Sequence, residues 1–135
     1  MRRKSLTSLG ETEMEVLHHV WDLGRATVAD VQARVLETRP VAYTTIMTVM
    51  KNLAEKGYLG FEKDGNQYVY TPARRAEEVQ HSLLKSLLQK VFHGSPAALV
   101  QTLVRYEHLS DEEREELRQI IDDLDEPGGS KPPVS

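Results

Sequence analysis

The apolar residues of this chain change their spacing twice, and these changes limit the folds that the chain can adopt. Residues 11–56 carry apolar side chains at helical spacing, in three segments. Residues 58–63 and 67–71 instead alternate between apolar and polar around a turn sequence at 64–66, which predicts a β-hairpin. From about residue 73 to 125 the spacing is helical again, in three more segments. This order predicts a mainly α chain with a small β-hairpin, as in a winged helix-turn-helix head followed by a three-helix region.

Residues that start or stop helices mark the ends of the predicted segments. The first helix is expected over residues 11–23, before Gly24; the second is expected to end at Pro40 and the third before Gly57. Thr27 opens the second helix, and Asp30 is placed to complete a capping box with it. Two further helix starts are expected at Ser95 with Pro96 and at Ser110 with Glu113.

The two halves of the chain differ in charge. Residues 1–75 hold 11 basic and 9 acidic side chains, a net charge of +2, whereas residues 76–135 hold 6 and 12, a net charge of −6. A basic first half and an acidic second half favour two separate roles. We therefore expect a winged-helix DNA-binding domain over 1–72, a helical dimerisation domain over 73–125 and a disordered tail over 126–135, which is rich in proline, glycine and serine.

Several classes of protein are disfavoured by what the sequence does not contain. The chain has no cysteine, so disulfides and thiolate metal sites are excluded. No apolar run approaches the roughly 20 residues of a membrane span, and the basic start at Arg2, Arg3 and Lys4 is not followed by the apolar stretch of a signal peptide. The five histidines fit no metal-binding or catalytic motif. We expect a cytoplasmic protein that is not an enzyme, does not insert into a membrane and needs neither metal nor cofactor.

The third predicted helix has one apolar side and one hydroxyl-rich side. At about 100° per residue, Ile46, Val49, Met50 and Leu53 share a narrow arc, which predicts the core-facing side. Thr44, Thr48 and Lys51 lie opposite, flanked by Thr45, Met47 and Asn52. Threonine, asparagine and lysine side chains can bond to base edges in the major groove. The predicted contacts to DNA are Tyr43, at the phosphate-binding helix start, Thr44, Thr45, Thr48, Lys51 and Asn52, with Lys63 and Asn66 on the hairpin.

Other interpretations of the same features stay open at this point. The polar side of the third helix is also compatible with ordinary solvent exposure, although threonine is a poor residue for an exposed helix and three occur here. Winged helices also act as protein-interaction adaptors, or as regulators that sense a small ligand. Steep salt dependence of binding to duplex DNA would distinguish a DNA-binding protein from an adaptor.

The second half of the chain carries more apolar surface than packing against the first 75 residues would bury. Two copies of one reading helix recognise two half-sites, so a homodimer that binds a palindromic operator is expected. The stripes comprise Val79, Leu83, Leu84, Leu87, Leu88 and Val91, then Leu99, Val100, Leu103 and Val104, then Leu117, Ile120, Ile121 and Leu124.

Four stretches of the chain are similar to a known family. They are residues 9–17, 20–21, 42–50 and 53–59. On these residues the sequence resembles the penicillinase-repressor family, which includes the beta-lactamase and methicillin-resistance repressors, over about residues 6–125. The resemblance implies a dimeric winged-helix repressor that binds a palindromic operator and controls a resistance or stress-response operon.

The resemblance also assigns roles to residues. The reading helix of the family matches Tyr43 to Lys56, and its wing matches Lys63 through Tyr68, which adds Tyr68 to the predicted DNA contacts. The C-terminal helices of the family interlock into a dimer. The matching interface residues are Leu83, Leu87, Leu99, Leu103, Leu117 and Ile121, and Val91 continues the first of these stripes.

Two features depart from the family pattern. The staphylococcal repressors are inactivated when a membrane sensor protease cleaves an Asn–Phe bond, whereas the matching bond here joins Thr102 to Leu103. The family also includes a copper-responsive repressor, which ends in a cysteine cluster that this chain does not have. The inducing signal therefore stays open, with the sensor protease as one candidate partner.

Overall fold

A computed structural model describes residues 9–125, which form six helices and one β-hairpin. This confirms the predicted fold class, a mainly α chain with a small hairpin. The basic start at residues 2–4 and the predicted tail at 126–135 lie outside the described residues. The elements are α1 (Glu11–Leu23), α2 (Val28–Leu36), α3 (Tyr43–Glu55), β1 (Leu59–Asp64), β2 (Gln67–Pro72), α4 (Ala76–Phe92), α5 (Pro96–Tyr106) and α6 (Asp111–Asp125).

The predicted capping box of α2 is present, but the helix ends earlier than predicted. The backbone N–H of Asp30 donates to Thr27 Oγ1 (3.1 Å), and that of Thr27 donates to Asp30 Oδ2 (3.0 Å). The helix stops at Leu36, four residues before Pro40. The N–H of Thr38 bonds three residues back to Val35 (3.0 Å), which tightens the last turn, and Val35 O also accepts from the Thr38 hydroxyl (3.1 Å). Proline also disfavours helical backbone in the residue that precedes it.

The part of the chain that ends at Val91 forms a first compact unit, and its core is built from the inner sides of the first three helices. Side chains from α1, α2 and α3 meet there with Leu59 and Tyr70 of the hairpin and Val79 of α4. Burying these side chains removes apolar surface from water, which is the main force that holds the three helices together. The completely buried members are Val16, Leu17, Val20, Val31, Val35, Ile46, Met50 and Leu53.

The hairpin is held to the helices by backbone hydrogen bonds. Its strands pair antiparallel from Leu59 opposite Pro72 to Asp64 opposite Gln67, and Gly65 has a φ of 64° in the turn. Ala26 and Tyr70 exchange two N–H to carbonyl bonds of 2.9 and 2.8 Å. The segment before α2 therefore extends the hairpin and fixes its direction.

Helix α4 packs on the same core as α1 to α3. Val79 is buried and Leu83 packs against the cluster, while Trp21 Nε1 donates to the carbonyl of Arg74 (3.0 Å). The chain separates into a compact unit that ends at Val91 and a second that begins at Phe92. The predicted boundary between residues 72 and 73 divides the chain by function, and it stays a prediction.

The second unit consists of α5 and α6, and both predicted caps are present. Ser95 Oγ accepts from the N–H of Ala98 (3.1 Å), and Ser110 and Glu113 form a capping box with bonds of 2.9 and 3.1 Å. Between Phe92 and Asp123 no described side chain is buried. Within residues 9–125, no helix is both long and apolar enough to cross a membrane.

Gly57 gives a prediction about folding stability. It turns the chain from α3 into the hairpin with a φ of +85°, and the next N–H, from Tyr58, reaches back to Leu53 O (2.9 Å). Gly57→Ala should lower the free energy of unfolding by about 1 kcal/mol because alanine is strained at this φ. Gly60→Ala is the control, since its Cβ meets Thr71 Oγ1 at an ordinary 3.7 Å. Equal losses in urea denaturation would contradict this account of Gly57.

Candidate nucleic-acid interface

The side of α3 that its periodicity predicted to face the core is buried, and the opposite side is exposed to solvent. Ile46, Met50 and Leu53 are completely buried and Val49 is half-buried. On the other sides of the helix, all the polar residues that were predicted to contact DNA are exposed: Thr44, Thr45, Thr48, Lys51 and Asn52. The structure thus confirms the orientation of the helix.

Two contacts outside the core set the position of α3. At its C-terminal end, Lys56 Nζ donates to Glu13 Oε1 at the start of α1 (2.8 Å). Before its N-terminal end, the side-chain amide of Gln32 donates to the carbonyl of Val41 (3.2 Å). Each end of α3 is therefore tied to a different neighbouring helix.

The carboxylate of Glu13 is suited to hold its contact with Lys56 at neutral pH. Burial by itself raises the pKa of Glu13, but the Gly10 N–H and the Lys56 ammonium together outweigh burial, so the pKa lies below its ordinary value. Because the folded pKa is lowered, the pair stabilises the fold above the ordinary carboxyl pKa and the stabilisation is lost as the pH falls through the folded value.

A groove of about 550 Å³ separates α3 from the hairpin. It contains Tyr43 and Lys51 from the helix and Asn66 and Tyr68 from the hairpin, so four of the predicted DNA contacts share one concave surface. Burial raises the pKa of Tyr70 in this groove, with smaller contributions from Tyr68 and Tyr43, so its hydroxyl stays neutral.

The other predicted contacts lie apart from the groove. Lys63 is exposed on β1, opposite Tyr68 in the hairpin register. Thr45 and Asn52 are on the flank of α3 that the helical period places away from Met47 and the groove. The predicted residues therefore form a continuous helix face with a groove on one side, rather than a single pocket.

Two exposed apolar residues of this surface were not among the predicted DNA contacts. Met47 of α3 and Phe61 of β1 both line the groove and are exposed. Phe61 packs edge-on against Tyr68, with ring centroids 5.3 Å apart. The helical period indicated the position of Met47, since it placed this residue beside the polar face. The alternation of the strand did not indicate that Phe61 is exposed, because an aromatic residue in a short strand is ordinarily expected to face the core.

The predicted dimer residues differ in exposure. Leu83 packs against the core of the first unit. Leu87, Leu99 and Leu117 are half-buried, whereas Val91, Leu103 and Ile121 are exposed. The bond between Thr102 and Leu103 lies inside α5, where the Thr102 hydroxyl donates to the carbonyl of Ala98 (2.9 Å).

Three helices followed by a hairpin that is tied back to the second helix define a winged-helix protein. Solved structures of the same fold include RosR of H. salinarum, with a TM-score of 0.51 at 15% identity, covering 88% of this chain and 96% of that one. A mutant of E. coli MarR has a TM-score of 0.50 at 14% identity, covering 87% and 78%. At these identities the likeness shows the fold alone.

The sequence model of the penicillinase repressor family matches residues 9–123, and the chain belongs to this family. The transcriptional regulator BlaI of Mycobacterium tuberculosis is 32% identical over 131 residues, which cover 96% of this chain and 94% of that protein. The penicillinase repressor of Bacillus licheniformis is 27% identical, covering 89% and 94%. The methicillin resistance regulatory protein MecI of Mammaliicoccus sciuri is 27% identical, covering 84% and 92%. The resemblance to this family that the four stretches suggested is confirmed, and the family is one of regulators rather than enzymes.

Proposed function

We propose that this protein is a transcriptional repressor that binds a palindromic DNA operator as a homodimer. Helix α3 exposes hydroxyl, amide and ammonium groups on one side, while its opposite side is buried in the core. This arrangement is the main support for the proposal. An exposed polar face on a rigid helix can enter the major groove without any rearrangement of the protein. The names of the relatives, a transcriptional regulator and a penicillinase repressor, support the repression of transcription.

Each part of the α3 face suits a different feature of DNA. Thr44 and Thr48 can bond to base edges or touch a thymine methyl, and Asn52 can pair with adenine. Lys51 can reach a guanine or a phosphate. Ala42 caps α3 without a side-chain oxygen, so the backbone N–H groups beside Tyr43 can donate to a phosphate.

The hairpin supplies the second contact with DNA. Lys63, Asn66 and Tyr68 are exposed on it, and the bonds between Ala26 and Tyr70 keep it beside α3. When α3 occupies the major groove, the sugar–phosphate backbone passes between helix and wing. The hairpin wall of the groove, at Asn66 and Tyr68, is suited to receive it, since amide and phenol groups donate to phosphate oxygens.

A second copy of the chain is proposed because α5 and α6 do not form a core of their own. Between Phe92 and Asp123 the described side chains leave their apolar stripes at least partly open to water, and Leu103, Ile120 and Ile121 are 39%, 52% and 54% exposed. Two short helices without buried side chains are too small to be stable alone. Pairing the stripes of two copies removes this surface from water and also brings two reading helices to one operator.

The names of two relatives, a penicillinase repressor and a methicillin resistance regulatory protein, support a role in antibiotic resistance. We expect the repressor to act in the cytoplasm, where its operator lies. A membrane sensor protease remains the candidate partner for induction. Because the bond between Thr102 and Leu103 lies within α5, it is open to a protease only when that helix unfolds locally.

Substitutions on the face of α3 test DNA binding. Thr48→Ala should weaken binding to a duplex selected by the wild-type protein from a random library by about 1–3 kcal/mol per lost base contact. Lys51→Ala should reduce the slope of log affinity against log salt by about 1 per protomer. Neither should change the free energy of unfolding by more than about 0.5 kcal/mol, because both side chains are exposed.

Thr12→Ala is the matched control for these substitutions, since it removes a helical threonine from α1. It should leave the affinity for DNA unchanged in an electrophoretic mobility-shift titration. Unchanged affinity in both α3 variants, or loss of their fold, would rule out this face as the surface that contacts DNA.

Leu103→Asp tests the dimer. A carboxylate in the exposed stripe of α5 should give a monomer near 15.3 kDa, instead of twice that mass, in light scattering at low micromolar concentration. Operator affinity should fall with it, because a monomer reads one half-site. Gln101→Asp adds the same charge to an exposed position of the same helix and should remain dimeric. A monomeric Leu103→Asp variant with full operator affinity would show that dimerisation does not provide the specificity.

A further inference from the structure

The two methionines of α3 have opposite environments. Met50 is completely buried in the core, whereas Met47, three residues earlier, is 37% exposed and lines the groove beside the hairpin. Met47 precedes Thr48 and lies one helical turn before Lys51, so it adjoins the polar face that is proposed to read DNA. The apolar surface of this residue therefore belongs to the reading surface and not to the core.

Duplex DNA offers few partners for an apolar side chain at this position. In the major groove the base pairs present hydrogen-bond donors and acceptors and one apolar group, which is the C5-methyl of thymine. The unbranched side chain of methionine has three rotatable bonds and a polarisable sulfur, so it can adapt its shape to such a methyl group. Contact between them removes apolar surface of both groups from water.

We infer that Met47 is a specificity-determining residue that contacts the C5-methyl group of a thymine in each half-site of the operator. The inference rests on the proposed function, since it needs α3 to enter the major groove. It adds a component that hydrogen bonds from threonine and lysine do not supply. Uracil pairs with adenine as thymine does but lacks the methyl, so Met47 gives the protein a preference for thymine over uracil at one position.

Replacement of thymine by deoxyuridine tests this inference directly. A duplex is selected from a randomised library by the wild-type protein, and each thymine is then replaced, symmetrically in both half-sites. At one position the wild-type protein should lose affinity by about fourfold per half-site, which is the value of one buried methyl group. The Met47→Ala variant should bind the thymine duplex more weakly by a similar factor and show no further loss with uracil at that position.

Two further variants serve as controls. Met47→Leu keeps an apolar side chain and should keep most of the penalty for uracil. Leu36→Ala removes an exposed apolar residue from the end of α2 and should show the same uracil penalty as the wild type. Thermal melts of all variants should coincide closely, because both positions are exposed.

The possible results separate this inference from the proposed function. If a duplex is selected but every uracil replacement is neutral, or if Met47→Ala retains the full penalty, the role of Met47 is wrong while operator binding stands. A selected half-site that contains no thymine has the same consequence. If no sequence is enriched at all, the proposed function fails and the inference fails with it.

Discussion

The burial of one side of α3 is the constraint on which the other features depend. Ile46, Met50 and Leu53 are completely buried in the core that α3 shares with α1, α2 and the hairpin, and truncating one such residue typically costs 2–5 kcal/mol. A helix held this way cannot rotate about its axis without exposing its apolar side. The threonines and the lysine on its other side are therefore presented outward at fixed angles, which a DNA-reading surface requires.

Contacts at the ends of α3 and at the hairpin hold the parts of the site in place around the helix. The bond between Lys56 and Glu13 ties α3 to α1, and the pair of backbone bonds between Ala26 and Tyr70 ties the hairpin to the start of α2. Helix, groove and hairpin thus belong to one rigid unit, and Val79 and Leu83 attach α4 to the same unit. Rigid presentation lowers the entropy that binding has to remove.

Local signals predicted most of the elements, and long-range packing explains the differences. The spacing of the apolar residues and the position of Gly24 predicted the observed bounds of α1. The predicted capping boxes at Thr27 and Ser110 are also present. The end of α2 was predicted too late because the last turn tightens before Pro40, where the N–H of Thr38 bonds only three residues back to Val35. The exposure of Phe61 and the pairing of Ala26 with Tyr70, 44 residues further along, depend on how the hairpin docks, and this docking leaves no periodic signal in either segment.

Methyl NMR of the threonines, during titration with a selected operator duplex, tests the outward face of α3 most directly. The account predicts that the methyl resonances of Thr44 and Thr48 shift when the complex forms, while that of Thr12 on α1 stays in place. A complex that forms with the Thr44 and Thr48 resonances unmoved would contradict it, because DNA would then bind to a different surface.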